Sequence, residues 1–295
     1  MSMGATLYGK IAAGAAVEPL RRRPGEVPER ELRRERIEVD RSHLAAYDRV
    51  CGFRLSDTLP ATYPHLLAFP LSMELMASGD FPFGVLGLVH VANTIEQLRP
   101  LRAGDPLDVR VWAENLASHK RGRTVDIVAE ASTDGEPAWR DRSTYLHREA
   151  STTLEGSDPS RHATNLKGSD PVGEAPQASA VWAVPGDIGR RYAAVSGDRN
   201  PIHLHGLSAR LFGQKGAIAH GMWTKARCLA ALQGHLPEVF AVQVDFKLPV
   251  RLPAKVAFAS WIEDDGRRFA LHDARSGKPH LYGAVNPSAS AASAA

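Results

Sequence analysis

The sequence has little of what a disulfide-bonded, zinc-binding or membrane protein needs. Its 295 residues include only two cysteines, Cys51 and Cys228, which stand in no paired spacing. This excludes a disulfide framework and a cysteine zinc site, and it favours a cytoplasmic location. No run of eighteen apolar residues occurs either, so the sequence predicts no membrane span.

A strong excess of either charge is also missing. The net charge is +3, and the arginines near the N-terminus, from Arg21 to Arg36, alternate with glutamates. This mixture is typical of a solvated segment and does not predict nucleic-acid binding. The phosphate-binding and nucleophile motifs GxGxxG, GxxxxGK[ST] and GxSxG are absent, and no metal-ligand constellation occurs. We therefore predict no cofactor and no metal.

Composition divides what is present into five segments. Residues 1–27 have small, scattered apolar groups and resemble a flexible tail, and residues 287–295 form a second, low-complexity tail. Residues 150–177 are rich in Ser, Gly, Pro and Asp, which predicts a linker. The linker separates two units, 28–149 and 178–286.

Each unit has helical periodicity first and strand periodicity afterwards, which predicts an α+β class with antiparallel sheets. The predicted helices are His43–Cys51, Tyr63–Met76, Gly186–Val195 and Ala217–Gln233, and the later strands include Leu107–Trp112, Thr124–Ala131 and Ala254–Ile262. The segments Leu98–Leu107 and Lys247–Val256 also align when Pro100 is matched with Pro249. This repeat supports a duplicated unit.

The densest chemistry lies in the second unit, where Asp198 and His203 stand five positions apart. Between them, Asn200 and Pro201 favour a turn that brings the two side chains together. An ionised carboxylate and an imidazole that titrates near neutral pH form a usable pair for moving protons. The alternative, of about equal weight on local chemistry alone, is an Asx-turn in which Asp198 and Asn200 only cap backbone amides.

Two stretches, YAAVSGDRNPIH (192–203) and LFGQKGAIAHGM (211–222), resemble the hydratase-2 motif of the MaoC-like dehydratases, the (R)-specific enoyl-CoA hydratases. FKLPVRLPAKVAF at 246–258 resembles the strand-turn-strand that follows in that family. GLVHVANTIEQLRPLRAGDPL in the first half resembles, more loosely, the degenerate unit of two-unit members. The resemblance implies a double hot-dog fold, in which antiparallel sheets each wrap a central helix.

The resemblance also implies an activity, the reversible hydration of trans-2-enoyl thioesters or dehydration of (R)-3-hydroxyacyl thioesters of coenzyme A or acyl carrier protein. Asp198 and His203 would hold water and exchange protons, with Asn200 orienting the site. The amide of Gly221, at a predicted helix start, is the oxyanion candidate. We expect His220 to cap or pack.

The candidates for binding the phosphates of coenzyme A are basic residues near this motif, namely Lys225, Arg227, Lys247 and Arg251. The first half has no copy of the motif, so one active site per chain is expected, and His65 and His90 are expected to be hydrogen-bonded or packed histidines. His205 stands where the family commonly has an acidic residue.

Two other functions remain open at this point, a hot-dog thioesterase and a non-catalytic acyl-CoA-binding or assembly subunit. The protein is expected to act as a monomeric double hot dog or a homodimer.

Overall fold

The computed structural model describes residues 25–85, 87–149 and 177–287. The expected tails at residues 1–24 and 288–295, and the linker up to residue 176, lie outside the described residues. The helices are α1 (Arg41–Cys51), α2 (Pro64–Met76), α3 (Ile188–Ser196), α4 (Pro201–Leu204), α5 (Gly206–Leu211) and α6 (Gly221–Leu232). The strands are β1 (Leu32–Ile37), β2 (Leu88–Gln97), β3 (Leu107–His119), β4 (Gly122–Thr133), β5 (Glu136–Arg148), β6 (Ala180–Val184), β7 (Phe240–Phe246), β8 (Ala254–Glu263), β9 (Gly266–Asp273) and β10 (Pro279–Pro287).

The ten strands of the described ranges form one antiparallel sheet in the order β1-β3-β4-β5-β2-β7-β10-β9-β8-β6. Five of these strands lie before residue 150 and five lie after residue 176. Each set of five has the same internal order, first-third-fourth-fifth-second. The two sets meet where β2 pairs with β7, from Ala92 opposite Asp245 to Gln97 opposite Phe240. This two-fold pattern confirms the α+β class with antiparallel sheets.

The repeat found in the sequence occupies equivalent places in the two halves. Each copy connects the second strand of its half to the third. In the first half Arg102 forms an isolated bridge with Thr58, and in the second half Arg251 forms one with Ile218. Arg102 and Arg251 are the residues that the alignment on Pro100 and Pro249 superposes, so the sequence repeat marks a repeated backbone contact.

Local signals place the first two helices where they were predicted. The Asp40 side chain caps the N-terminus of α1 by accepting from the amides of Ser42 and His43, and Gly52 ends the helix in the left-handed region at φ 85°. Glycine adopts this conformation without the steric cost that a Cβ adds. Helix α2 starts at Pro64, where a missing N–H costs nothing.

The segment before α6 differs from the prediction of a helix from Ala217. The Ala219 amide donates to the Val250 carbonyl and the Leu252 amide to the Ala217 carbonyl. These residues therefore form an isolated β-bridge, Ile218 with Arg251, and α6 begins only at Gly221. The short helices α4 and α5 were not predicted, because four to six residues show no helical period.

Helix α6 is anchored at the seam between β2 and β7 through the buried side chain of Lys225. The Nζ atom of Lys225 donates to the Asn93 carbonyl on β2 (3.3 Å), the Asn93 side chain, and the Val242 carbonyl on β7 (3.1 Å). The Asn93 amide in turn bonds to Asp141, which also binds His65 of α2. One polar network thus joins both central helices to the middle of the sheet.

Within the described ranges, no helix has the length and apolar character needed to cross a membrane.

Candidate active site

The loop after α3 forms the first part of the site. Gly197 ends α3 with φ 76°, and the chain then turns so that the Asn200 amide donates to Asp198 Oδ1 (3.1 Å). The Asn200 side chain accepts from the Ile202 amide (3.3 Å) and caps α4. The Asx-turn alternative is therefore present as geometry. It occupies Oδ1 of Asp198, and the other carboxylate oxygen, Oδ2, lies 3.6 Å from His220 Nε2.

His203 lies on α4 in a defined tautomeric state. Its Nδ1 is 2.8 Å from the Ile218 carbonyl, which can only accept, so Nδ1 carries the proton and Nε2 is the acceptor nitrogen. Burial lowers the pKa of His203, and the nearby Asp198 carboxylate partly opposes this effect. The ring is therefore neutral near pH 7, with its basic nitrogen unprotonated.

Gly189 allows α4 to lie this close to α3. A Cβ at Gly189 would stand 2.0 Å from the His203 carbonyl oxygen, closer than any packed side chain tolerates. This role could not be predicted from the sequence, because a glycine inside a predicted helix is not by itself informative.

His220 connects the two parts of the site. It is 3% exposed, and its Nε2 donates to the Asp198 carbonyl oxygen at 3.1 Å. Its ring stacks on that of His203 with centroids 3.7 Å apart. Burial and the neighbouring His203 lower the pKa of His220 to about 3, so it stays neutral. His220 thus packs, as expected, and it also holds the backbone of Asp198.

Asp198, His203 and His220 bring their ligand-type atoms within 4.8 Å of one another, as metal ligands do. A zinc ion must lie about 2.0–2.1 Å from each ligating nitrogen and near the plane of each ring. Rings that stack with an interplanar angle of 24° have no point that satisfies both conditions. A shared ion would require one ring to rotate, which would break a hydrogen bond that now fixes it.

The second part of the site is the N-terminus of α6, directly after His220. Residue 220 has no side-chain cap bond, and the first amides of a helix lack intrahelical partners and carry partial positive charge. A Cβ at Gly221 would lie 3.1–3.3 Å from the Phe246 ring. The absent side chain therefore keeps the first turn of α6 open beside Phe246.

Both parts face one cleft of about 470 Å³, which both halves of the chain line. Asp198, Asn200, His203 and Gly221 all border it. His65 and His90 border it from the first half, where His65 is bonded to Asp141 and His90 stacks on Tyr145 at 4.7 Å. The prediction for these two histidines is confirmed, since His65 is hydrogen-bonded and His90 is packed, although both also form part of the cleft wall.

Tyr192 is a cleft residue to which sequence reasoning gave no role. It is 2% exposed, and its hydroxyl has no hydrogen-bond partner among the residues that the structure describes. Burial, Cys51 and the Asp198 charge raise the pKa of Tyr192 well above its usual value. The hydroxyl therefore stays protonated and offers a donor to the cleft.

The four basic residues proposed from the sequence lie in different environments. Lys225 is fully buried and bonded at the β2–β7 seam, so its expected contact with a phosphate is wrong. The Arg227 guanidinium lies 4.2 Å above the Trp182 ring, half-buried and away from the cleft. Arg251 is exposed but does not line the cleft, whereas Lys247 does.

Two arginines that the sequence did not single out also line the cleft, Arg121 in the β3–β4 turn and Arg148 at the end of β5. Asp198 is the only carboxylate among the described lining residues. The pairing of β4 with β5 places Gly122 opposite Arg148, so the two arginines are neighbours at one end of the sheet. Only this pairing brings them together, which is why the sequence alone did not reveal them.

Known proteins are similar to this chain in both sequence and architecture. Residues 168–283 match the MaoC like domain. The 3-hydroxyacyl-thioester dehydratase X of Mycobacterium tuberculosis is 37% identical over 287 residues, which cover 97% of this chain and 99% of that protein.

A crystal structure of HtdX from Mycobacterium tuberculosis aligns with a TM-score of 0.76 at 36% identity, covering 88% of this chain and 100% of that chain. Another Mycobacterium tuberculosis protein, described as having a double hot-dog fold, aligns with a TM-score of 0.52 over 88% of this chain and 96% of its own. Its identity of 13% supports the fold alone. The double hot-dog fold expected from the sequence is confirmed, and the chain belongs to the MaoC-like dehydratase family.

Proposed function

We propose that this protein catalyses the reversible dehydration of (R)-3-hydroxyacyl thioesters to trans-2-enoyl thioesters. The observation that carries the proposal is the arrangement of one cleft, in which a neutral imidazole with a bare nitrogen, a carboxylate and an uncapped helix N-terminus face the same space. The family relationship supports the same reaction class.

His203 is suited to move the proton. In the dehydration direction, its unprotonated Nε2 takes the C2 proton of the substrate, and the electron pair shifts toward the thioester carbonyl as an enolate. The C3–O bond then breaks, and the proton passes from Nε2 to the departing hydroxyl, which leaves as water. Hydration is the reverse sequence, so protons and electrons balance without an external cofactor.

Asp198 and Asn200 have supporting roles in this proposal. Asp198 Oδ2 accepts a hydrogen bond from the water or the C3 hydroxyl, which fixes the oxygen beside C3. Asn200 caps α4 and so sets the position of His203 relative to Asp198. The enolate oxygen needs donors at the moment its charge develops, and the Gly221 amide at the positive end of α6 supplies one.

The carrier of the acyl group meets the cationic part of the cleft. Arg121, Arg148 and Lys247 come from both halves of the sheet and line the cleft together. Coenzyme A and the phosphopantetheine arm of a carrier protein both present phosphate groups, for which arginine and lysine are the usual ligands. Lys247 thus stays a phosphate candidate, and Arg121 and Arg148 replace Lys225, Arg227 and Arg251.

Separate Asp198→Asn and His203→Ala variants test the proposal, with loss of the enoyl-CoA double bond as the readout. We expect each rate to fall by about 10²–10⁴, the usual contribution of a positioned acid or base. His205→Ala is a matched control, because His205 is an exposed histidine of the same segment that does not line the cleft. A folded Asp198 or His203 variant with near wild-type rate would show that the pair is wrong.

The same assays distinguish the two other functions, a thioesterase and a non-catalytic binding subunit. Release of free thiol without loss of the double bond would identify a thioesterase. Tight binding of acyl-CoA without turnover would identify a binding subunit.

A further inference from the structure

Helix α5 exposes an unusual amount of apolar surface. Leu207 is 78% exposed, Leu211 is 85% exposed and Phe212, which follows the helix, is 44% exposed. Leu207 and Leu211 are four residues apart and therefore lie on one face of the helix. We call these three side chains the α5 patch. Large apolar groups clustered on the outside of a protein mark interaction sites more often than chance exposure.

The patch is held in a fixed position beside the active site. Ala209 on the opposite face of α5 is fully buried, and the Ser208 hydroxyl donates to the Pro201 carbonyl of α4 at 2.7 Å. Helix α4 carries His203, so α5 rests directly on the element that carries the proposed base. The patch is therefore part of a firm surface.

The patch also borders the entrance to the cleft. Gly213 and Gln214 follow Phe212 in the chain and line the cleft, and their amides donate back to the last carbonyls of α5. Leu248, 46% exposed, lines the cleft from the end of β7. A partner protein bound to the α5 patch would therefore lie over the opening through which substrate enters the cleft.

The charge around the patch selects the partner. From Arg199 to Pro237 the sequence contains no aspartate or glutamate. Arg210 and Lys215 are exposed beside the patch, and the cleft adds the cationic residues already described. Such a surface attracts an acidic partner, whereas pairing of two copies through this patch would bring the exposed Arg210 and Lys215 of both chains together.

We propose that the α5 patch is the docking surface for an acyl carrier protein, which presents the substrate to the cleft as its phosphopantetheine thioester. This inference rests on the proposed function. Carrier proteins are small, acidic and helical, and the acyl arm enters the cleft only when the protein body rests outside the entrance. Coenzyme A has no such body, so the patch makes no contribution to its binding.

The test compares the same enoyl chain on coenzyme A and on carrier protein. The variants are Leu207→Ser with Leu211→Ser, and Arg210→Glu alone. We expect KM for the carrier-protein substrate to rise about tenfold or more, since interface anchors commonly contribute at least that factor. The kcat on carrier protein and both constants on coenzyme A should not change. Ile262→Ser on β8, which is 73% exposed and outside the cleft lining, is the matched control.

The outcomes separate this inference from the proposed function. Equal losses on both substrates would overturn the docking role and assign α5 to support of the site. Unchanged kinetics on both substrates would also overturn it, and a change in sedimentation in those variants would assign the patch to self-association. If wild-type protein hydrates enoyl-CoA but not the carrier-protein substrate, the docking proposal fails and the function stands. If it acts on neither, the proposed function fails.

Discussion

Lys225 offers a quantitative test of the seam between the two halves. Its ammonium group lies in the sheet interior, where burial lowers the lysine pKa from 10.5 to about 7 and the Asp141 charge only partly compensates. In the unfolded chain the pKa returns to its usual value. Between the two values the unfolded chain binds more protons than the folded protein, so the folded state gains stability as pH rises.

The size of this effect follows from the shift. One pKa unit corresponds to about 1.4 kcal/mol. Integrated from pH 7 to pH 9, the Lys225 contribution to the free energy of unfolding increases by about 2 kcal/mol. The variant Lys225→Met fills similar space without a titrating group, and we expect it to lack this increase. Its absolute stability also reflects the carbonyl groups of Asn93 and Val242 left without a donor.

Urea unfolding at pH 7 and pH 9 measures the difference. Other groups titrate in this range, but they do so equally in both proteins, so subtracting the two pH changes isolates Lys225. Lys255→Met, which removes an exposed lysine of β8, should keep the wild-type pH dependence. Parallel pH dependences of Lys225→Met and wild type would refute a neutral, buried Lys225 and place its charge in contact with solvent.

Three further predictions concern the cleft. Gly221→Ala should lower kcat at least tenfold with little change in Tm, because the added Cβ meets the Phe246 ring at the mouth of the helix; unchanged kcat would remove Gly221 from the site. Tyr192→Phe should lower kcat/KM without loss of stability, since the hydroxyl has no partner among the described residues. As a control, Tyr47→Phe should lose about 1 kcal/mol of stability and keep full activity, because the Tyr47 hydroxyl donates to Thr62. The opposite pattern in urea unfolding and turnover would contradict this prediction. In a pH–rate profile the acid limb should lie below pH 6.5, because burial lowers the pKa of His203 and activity requires the neutral ring; a limb at or above 6.5 would exclude His203 as the base.

Much of the fold could be predicted from local chemistry. Asp40 and Gly52 mark the ends of α1 because a cap and a left-handed residue are local requirements, and the Pro100 and Pro249 alignment marks equivalent connections. The start of α6 was predicted four residues too early because the partner of Ile218, Arg251, lies more than thirty residues away. Propensity in a window cannot detect such a pairing.

The candidate site divides in the same way. Asp198 and His203 could be predicted because a turn of six residues brings them together, and their catalytic roles stay a proposal. The phosphate candidates failed where sequence neighbourhood was taken as spatial neighbourhood. Lys225 is close to Gly221 in the chain, yet it points into the sheet, whereas Arg121 and Arg148 reach the cleft from the other half through strand pairing.

The β2–β7 seam has a consequence for assembly of the polypeptide. Either half alone would leave a strand of six or more residues with unpaired backbone groups along its full length, and such an exposed edge invites pairing with another chain. The strands that protect each other are separated by more than a hundred residues, so closure of this seam must await synthesis of the second half. A fragment that ends between the two halves therefore exposes the unpaired edge of β2, and we expect such fragments to aggregate through this edge.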